Sequence, residues 1–442
     1  MSVLLIVSLV IYLVLVSFRP HWGIYLILLL LPSYQIRFAF LGIPTTFLEW
    51  LILILAGVVA IRLVSKIRPG KSELGSFIFR PEWRKRFSFL AWPIGLAGIF
   101  LVASIVAVGS SPQTIKAAGI FKAYILEGIL FWALLLYLVD SKAKLFNCFK
   151  ALGLLVTALS VFGIYQYFTL YRLPPAWWGP GPEPRRVVSL FTYPNAVSLL
   201  ITPVLALFSG LLVFWEEVRT FVSKRFLILV NVFGVIALLL TFSRGAWLGY
   251  AAAVLFLALF SKYKKIIIAL LIIAGIGIFA IPTSRDRILP MVTGKDPASI
   301  ERIKLYQGAW EIIKQQPVFG AGLYGFRDAY SAVRKSDQDE ILNYPHNFFL
   351  NFWVETGLFG LLAITAMLIW MLVQGVRLLR QNPNLQPLIL AVFAAFIVVL
   401  VHGQVDAPFF KNDLAILFWF LLGIIPLLKS FQNKILTTLS KT

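Results

Sequence analysis

Histidine and carboxylate side chains stand out in this sequence because they interrupt long apolar runs. Three histidines occur in 442 residues; His346 begins one run together with Asn347, and His402 ends the next, four residues before Asp406. Glu355 lies inside the first of these runs. An ionisable group at membrane depth costs roughly 3 kcal/mol or more and often marks a functional site. A neutral imidazole can also accept a proton from a hydroxyl near neutral pH, so these residues predict a site with a histidine base.

Arginines accompany these residues at the ends of other apolar runs. Arg185 and Arg186 precede SLFTYPNAVSLL, in which Asn195 interrupts a run; Arg244 lies in TFSRGAWLG between two runs, and Arg302 lies in a polar segment. Guanidinium groups form strong, often bidentate hydrogen bonds to phosphate. Several arginines with histidine but without a cluster of carboxylates argue against a catalytic divalent metal. We therefore expect an anionic ligand and no metal.

The composition indicates which elements position these residues. The chain is 60% hydrophobic and 13% charged, whereas soluble domains carry about 25% charged residues. Apolar runs near the roughly 20 residues that span a bilayer recur from end to end. They lack the period-two alternation of barrel strands. The sequence predicts an all-α, polytopic membrane helix bundle, and its single cysteine, Cys148, allows no internal disulfide.

Basic residues predict the orientation of the bundle. The net charge is +21, but we attribute it to loops retained in the cytoplasm and expect no nucleic-acid partner. The basic segment 62–86 is placed inside, and later basic loops then alternate as the positive-inside rule requires. With the N-terminal runs 2–18, 22–33 and 39–61, we expect 12 or 13 transmembrane helices, and the choice between the two numbers stays open. The ten later spans are predicted near 90–108, 119–139, 151–168, 188–214, 226–242, 244–260, 266–282, 347–376, 386–402 and 411–428.

One long polar segment is predicted on the outer face. Residues 1–442 are interpreted as a single integral membrane domain, within which 283–345 forms a large periplasmic loop. Asp296-Pro297 is a good helix start, and apolar residues from Ile300 to Ile313 recur at helical spacing. We expect an amphipathic helix near 297–316 at the membrane–water boundary.

Four motifs in order along the chain resemble the O-antigen ligase / O-antigen polymerase superfamily of bacterial membrane glycosyltransferases. TFSRGAWLG (241–249) resembles the Ser-Arg-Gly helix start of the family. ERIKLYQGAWEIIKQQPVFGAGLYGF (301–326) resembles its outer-loop pattern, and HNFFLNFWVETGLFG (346–360) fits the ligase pattern of His, Asn and, after a gap, Gly-x-x-Gly. RRVVSLFTYPNA (185–196) is similar to the Arg and Pro-Asn region.

The resemblance implies an activity and a location. Such enzymes transfer a glycan from undecaprenyl diphosphate to an acceptor hydroxyl at the periplasmic face of the bacterial inner membrane. For a ligase the acceptor is a sugar of lipid A–core; relatives use other glycan acceptors. The resemblance implies an inverting reaction without metal or cofactor, in a multi-pass protein embedded in the lipid bilayer.

The resemblance also implies roles for residues. His346 corresponds to the outer-loop base, and Arg244 and Arg302 correspond to the essential arginines, so these three are predicted to be catalytic. The family's third arginine corresponds to Arg185 or Arg186. The remaining site residues are substrate-binding, namely Arg185, Arg186, Asn195 and Asn347, or supporting, namely Glu355, His402 and Asp406.

Three alternatives remain open. A polymerase of the same superfamily would add repeat units to a carrier-linked chain. A protein O-glycosyltransferase is a related alternative, although such enzymes often carry an extra soluble region. A transporter is disfavoured because the polar residues crowd one predicted face and no half-repeat is visible.

Overall fold

The computed structural model describes residues 3–65, 88–179, 184–336 and 338–439. The described chain is almost entirely helical, with one two-stranded sheet, which confirms the prediction of an all-α bundle. The helices are α1 (Val3–Phe18), α2 (His21–Leu29), α3 (Phe47–Val64), α4 (Ala91–Gly109), α5 (Thr114–Ile120), α6 (Glu127–Leu138), α7 (Lys142–Thr169), α8 (Pro194–Val213), α9 (Trp215–Val218), α10 (Lys224–Leu240), α11 (Arg244–Leu259), α12 (Lys264–Ala280), α13 (Pro282–Val292), α14 (Pro297–Gln315), α15 (Phe326–Val333), α16 (Phe348–Gln381), α17 (Gln386–His402) and α18 (Asn412–Leu439).

Fewer helices meet the length of a membrane span than the sequence predicts. Within the described ranges, eight helices are long and apolar enough to cross a bilayer, or nine if the pair α12 and α13, bent by 97°, counts as one span. The expected 12 or 13 included short apolar runs. Of these, 22–33 forms only the nine-residue α2, about 14 Å long, and α1 and α11 are also shorter than a full span. The basic segment 62–86 lies mostly outside the described residues, so the orientation stays a prediction.

A β-hairpin occupies part of the third N-terminal apolar run, which was expected to be one span over 39–61. Strand β1 (Arg37–Phe40) pairs antiparallel with β2 (Ile43–Thr46), and the turn contains Gly42 at φ +79°. Helix α3 begins only after this hairpin, where the Thr46 side chain accepts a hydrogen bond from the Glu49 amide. The N-cap and the glycine turn therefore shorten the membrane-length helix.

The most buried helices form the centre of the bundle. Helices α8, α17 and α18 are largely enclosed by the other helices, and most of their side chains are apolar. Helices α8 and α17 approach closely because Gly210 lacks a side chain; a Cβ there would lie 2.7 Å from Ala391 Cα. Such small-residue contacts hold membrane helices together by van der Waals packing.

The polar segment 283–345 contains three helices. Helix α14 begins as the sequence predicts: the Asp296 carboxylate caps it by accepting a 2.9 Å hydrogen bond from the Ser299 amide. Its inner face is buried, whereas Ile300, Ile303 and Trp310 on the predicted apolar face are 43%, 54% and 47% exposed. Those exposed apolar side chains suit a membrane–water boundary.

Helix α16 is broken at Gly357, which has φ +69° and ψ −177°. The break frees backbone groups that the Gly-rich stretch after α14 then satisfies. The Val354 carbonyl accepts from the Ala321 amide at 2.8 Å, and the Leu358 amide donates to the Val318 carbonyl at 2.9 Å. A Cβ at Gly357 would collide with that Val318 oxygen, so the position requires glycine.

Candidate active site

The imidazole of His346 lies against the carboxylate of Asp406. The Nδ1–Oδ1 distance is 3.1 Å, and the His346 side chain is 29% exposed whereas that of Asp406 is 7% exposed. His346 adopts φ +54°, just before α16, and the amide of Phe348, two residues later, donates to the Gly403 carbonyl. The start of α16 is thereby fixed to the turn after α17, and the ring is held beside the carboxylate.

Asp406 is a hydrogen-bond centre. Besides His346, it accepts a 2.9 Å bond from the Asn195 side chain and a 2.9 Å bond from the Ala407 amide. Burial alone would raise the pKa of Asp406, but the hydrogen bond from His346 and the nearby imidazoles outweigh burial and hold that pKa well below its ordinary value. The carboxylate is therefore ionised at neutral pH and can orient the His346 ring.

Asn195 links this pair to an arginine. The Asn195 Oδ1 accepts a 3.1 Å hydrogen bond from Arg186, whose Nε donates at 2.8 Å to the Thr241 carbonyl. The same guanidinium lies 5.2 Å from the centre of the Trp177 ring. Asn195 is the second residue of α8, and Pro194 at the first position provides a favourable helix start. A continuous chain of hydrogen bonds therefore runs from Arg186 to His346.

A cavity of about 490 Å³ lies beside this chain. Four arginines line it, and none of the lining residues in the described chain is Asp or Glu. The cavity is bounded by the starts of α8 and α11, the end of α17, and α13 with the first turn of α14. Its polar and basic lining residues are Arg186, Asn195, Ser243, Arg244, Arg287, Ser299, Arg302, His402 and Gln404. A polyanionic ligand is the chemical class that fits such a lining.

The side chain of Arg244 is already paired. Its two terminal nitrogens each lie 2.8 Å from a carboxylate oxygen of Asp296, and one also donates to the Arg287 carbonyl. Burial raises the pKa of Asp296, but hydrogen bonds from Arg244 and Ser299 prevail and lower it to about 2. Arg244 therefore fastens α13 and α14 to the bundle.

Arg302 and Tyr306 attach α14 to the turn after α17. Arg302 Nε donates at 2.9 Å to the Val405 carbonyl, and the guanidinium has no carboxylate partner among the described residues. The Tyr306 hydroxyl contacts the carbonyl oxygens of Gln404 and His346. Helix α14 therefore roofs the cavity and presents a cation to it.

Three predicted residues lie outside both the cavity lining and the chain of hydrogen bonds, whereas His346 and Asp406 belong to that chain but not to the lining. Arg185 donates to the carbonyls of Tyr167 and Trp178 and lies over the Tyr167 ring. Asn347 caps α16 by accepting from the Phe349 and Leu350 amides. These contacts favour structural roles for both residues.

Glu355 is the third of these residues. It is fully buried, and its carboxylate accepts from the backbone amides of Tyr324 and Phe326. It therefore anchors the Gly-rich stretch to α16.

His402 lines the cavity but does not contact His346. The ring is 2% exposed, and neither of its nitrogens forms a hydrogen bond with a described residue. Sequence reasoning left open whether His402 holds His346; Asp406 has that contact instead.

Four further residues were not among the predicted site residues: Arg287 and Gln404 line the cavity, and Asp296 and Tyr306 hold its roof through Arg244 and the Gln404 carbonyl. Asp296 was recognised only as a helix cap. Its pairing with Arg244, 52 residues away, follows from the tertiary fold and has no local signal in the sequence.

A larger cleft of about 580 Å³ lies between α4 and α16. Its lining is apolar apart from Thr356, and it contains no ionisable side chain. It therefore offers no group for acid–base chemistry or for binding an anion.

Comparison with known proteins agrees with the motifs. The family model described as O-Antigen ligase matches residues 229–365, which contain Arg244, Arg302 and His346. An "O-antigen ligase" of Salmonella typhimurium is 26% identical over 372 residues, covering 79% of this chain and 81% of the relative. An uncharacterized protein of Haemophilus influenzae is 29% identical over 162 residues, covering 30% of this chain and 41% of the relative. Together with the ordered motifs and the all-helical membrane bundle, these matches support a relation of the chain to the O-antigen ligase superfamily.

Proposed function

We propose that the protein transfers a glycan from undecaprenyl diphosphate to a hydroxyl of lipid A–core at the periplasmic face of the inner membrane. The observation that carries this proposal is the hydrogen-bonded chain from Arg186 through Asn195 and Asp406 to His346. It joins a candidate base to a cavity lined by four arginines. A base beside an anion site is what glycosyl transfer from a lipid diphosphate requires.

His346 is the base in this mechanism. The ionised Asp406 accepts a hydrogen bond from Nδ1–H of His346 and so fixes the tautomer of the ring. Nε2 is then free to take the proton of the acceptor hydroxyl. The deprotonated oxygen attacks the anomeric carbon on the face opposite the diphosphate, so the configuration inverts. Such a base contributes roughly 10²- to 10⁴-fold to the rate.

The cavity arginines act on the leaving group. As the bond between the anomeric carbon and the phosphate oxygen breaks, its electron pair passes to the diphosphate. Pre-placed donors stabilise that growing charge best where water is scarce, by about 3 kcal/mol each. Arg302 suits this role because no described carboxylate neutralises it, and Arg186 and Arg287 flank the same space. The reaction as proposed needs neither metal nor nucleotide.

The names of the matches favour ligation over polymerisation. Both the family description and the Salmonella relative carry the words O-antigen ligase, and the latter match extends over most of both chains. We therefore propose lipid A–core as the acceptor. The orientation towards the periplasm rests on the positive-inside rule.

A reconstituted transfer reaction tests the proposal. The purified protein receives an undecaprenyl-diphosphate-linked glycan and lipid A–core in the presence of a chelator, and glycan attachment is measured by mass spectrometry. His346→Ala should lower transfer by about 10²- to 10⁴-fold. His21→Ala is the control, because it also removes a histidine but lies at the start of α2, where its ring packs against the Tyr25 ring.

Three outcomes would contradict parts of the proposal. Full activity of His346→Ala would refute the assignment of the base. A strict need for a nucleotide sugar or a metal would refute the mechanism. Growth of the carrier-linked glycan without use of lipid A–core would identify a polymerase instead.

A further inference from the structure

The first turn of α11 faces the arginine-lined cavity with unsatisfied amides. The first hydrogen bond of this helix is from the Trp247 amide to the Ser243 carbonyl. The amides of Arg244, Gly245 and Ala246 have no acceptor among the described residues. Ser243 occupies the N-cap position, but its side chain forms no capping bond. Such amides at a helix start are free to donate to a ligand or to solvent.

A helix start in this state attracts anions. Its amide hydrogens point outward from the first turn, and the helix dipole adds roughly half a positive charge there. Ser243, Arg244 and Gly245 line the cavity, so the amides of this turn border the space into which the arginines also project.

His402 provides a second, independent observation at the same place. The ring is 98% buried, its Nδ1 is enclosed without a partner, and it belongs to the cavity lining. Its Cδ2–Nε2 edge lies against Gly245: a Cβ built at position 245 would be 2.9 Å from Cδ2 and 3.4 Å from Nε2. Neither nitrogen of this buried ring has a hydrogen-bond partner among the described residues, and a ligand acceptor at Nε2 would satisfy one of the two.

Gly245 gives this corner its shape. A Cβ there would also lie 2.6 Å from Val405 Cγ2, so a larger residue would fill the space between α11, His402 and the turn after α17. The Arg244 side chain, meanwhile, is directed to Asp296. In the Ser-Arg-Gly motif, the backbone amides and the bare Cα of Gly245 border the corner of the cavity. The Arg244 guanidinium instead fastens α14 above it.

We propose that the N-terminal amides of α11, together with Nε2 of His402, bind a phosphate group of the lipid diphosphate. This corner, formed by residues 243–246 and His402, is the phosphate cradle. Arg302 on α14 and Arg186 in the segment before α8 add positive charge around the cradle. The assignment rests on the proposed function, because that function supplies the diphosphate.

Binding of short prenyl diphosphates tests the cradle. Farnesyl diphosphate is titrated onto the full-length protein in nanodiscs, with inorganic diphosphate and farnesol as competitors. Gly245→Ala should weaken binding by at least about tenfold, because the new methyl group occupies the cradle. Gly249→Ala, one turn later on α11, should bind within about twofold of wild type, since a Cβ there meets Val398 only at 3.4 Å or more.

The competitors identify which part of the ligand is recognised. Inorganic diphosphate should displace farnesyl diphosphate and farnesol should not. Displacement by farnesol alone would show that the chain and not the phosphate is bound, and would overturn the proposal. Unchanged affinity of Gly245→Ala would overturn it as well.

Variants of His402 provide a test that does not depend on how well Gly245→Ala folds. His402→Gln keeps an N–H near the position of Nε2, whereas His402→Leu removes it. The glutamine variant should retain most of the affinity, and the leucine variant should lose about tenfold. Equal affinities of the two variants would refute a donor at this position.

Histidine NMR gives a direct signature. With ¹⁵N-labelled histidine the chain contains only three labelled rings, and His21→Ala and His346→Ala assign them. Farnesyl diphosphate should shift the Nε2 signal of His402; a shift confined to the other two rings would overturn the cradle.

Failure of the cradle and failure of the proposed function are distinguishable. Wild-type affinity in both Gly245→Ala and His402→Leu, with intact glycan transfer by the wild type, would remove the cradle alone. Intact diphosphate binding without any glycan transfer by the wild type would remove the proposed function alone.

Discussion

The ion pair between Arg244 and Asp296 makes a quantitative prediction about the roof of the cavity. The two side chains form two parallel 2.8 Å bonds and are 15% and 10% exposed. Asp296→Asn removes the charge but keeps the shape, and leaves the guanidinium partly buried without its counter-ion. We expect the start of α14 to be loosened from the bundle.

The expected size follows from burial. Removing one partner of a fully buried pair costs about 3–5 kcal/mol, and the residual exposure here places the loss nearer about 2–3 kcal/mol. That corresponds to a roughly 30- to 150-fold larger equilibrium constant for local opening. The double variant Arg244→Gln, Asp296→Asn should recover part of this loss, because no buried charge is then left without a partner.

The pH dependence has a defined sign. The pKa of Asp296 is lowered from 3.8 to about 2 in the folded protein. Its contribution to stability is therefore complete above the unfolded value and is lost as the pH falls through about 4 towards about 2. The stability of Asp296→Asn should therefore lack this dependence on pH between about 4 and about 2.

Hydrogen exchange of the first turn of α14, followed by mass spectrometry, measures the effect. Glu311→Gln is the control, because Glu311 pairs with Lys314 on the same helix at 49% and 54% exposure and such pairs contribute little. Protection that is the same in Asp296→Asn as in wild type, or strictly additive effects in the double variant, would refute the assignment of this pair as the fastening of the roof.

Three further changes have expected outcomes. Arg186→Gln should reduce glycan transfer far more than Arg185→Gln, because only Arg186 lines the cavity; equal losses in the transfer assay would contradict that division. Asp406→Asn should lower the turnover rate by about 10²- to 10⁴-fold with little change in diphosphate affinity, and a pure affinity loss would argue against its role on the base. Glu355→Ala should lower the free energy of unfolding by about 1–3 kcal/mol for each amide of the Gly-rich stretch left unpaired, which is measured as a lower thermal midpoint. Glu355→Gln keeps one acceptor and should lower the midpoint less. Equal midpoints of the two variants would contradict the anchoring role.

Much of the helical framework could be predicted because apolar runs of bilayer length have few alternatives to helix. The spans predicted near 90–108, 151–168, 347–376, 386–402 and 411–428 correspond in order to helices α4, α7, α16, α17 and α18. The Asp296 cap also appears as expected. The hairpin at 37–46 escaped this reasoning because a short apolar run reads the same as helix or strand.

The candidate site was predictable in its residue types and less so in its contacts. Motif reasoning could not choose between Arg185 and Arg186, since neighbouring side chains outside a helix can point to opposite sides. The pairing of Arg244 with Asp296 and the docking of the Gly-rich stretch at Gly357 depend on contacts between distant segments. Hydrophobic periodicity carries no information about such contacts.

The short turn 403–406 explains why these distant segments converge. Its backbone carbonyls accept from three separate places: Gly403 from the start of α16, Gln404 from Tyr306, and Val405 from Arg302. The Asp406 carboxylate makes two further contacts, with the His346 ring and with Asn195 at the start of α8. Because most of these acceptors are main-chain atoms, the path of the backbone through this turn is strongly constrained. The HGQVD sequence therefore organises the site through its conformation, and only its histidine and aspartate contribute side chains to the chemistry proposed here.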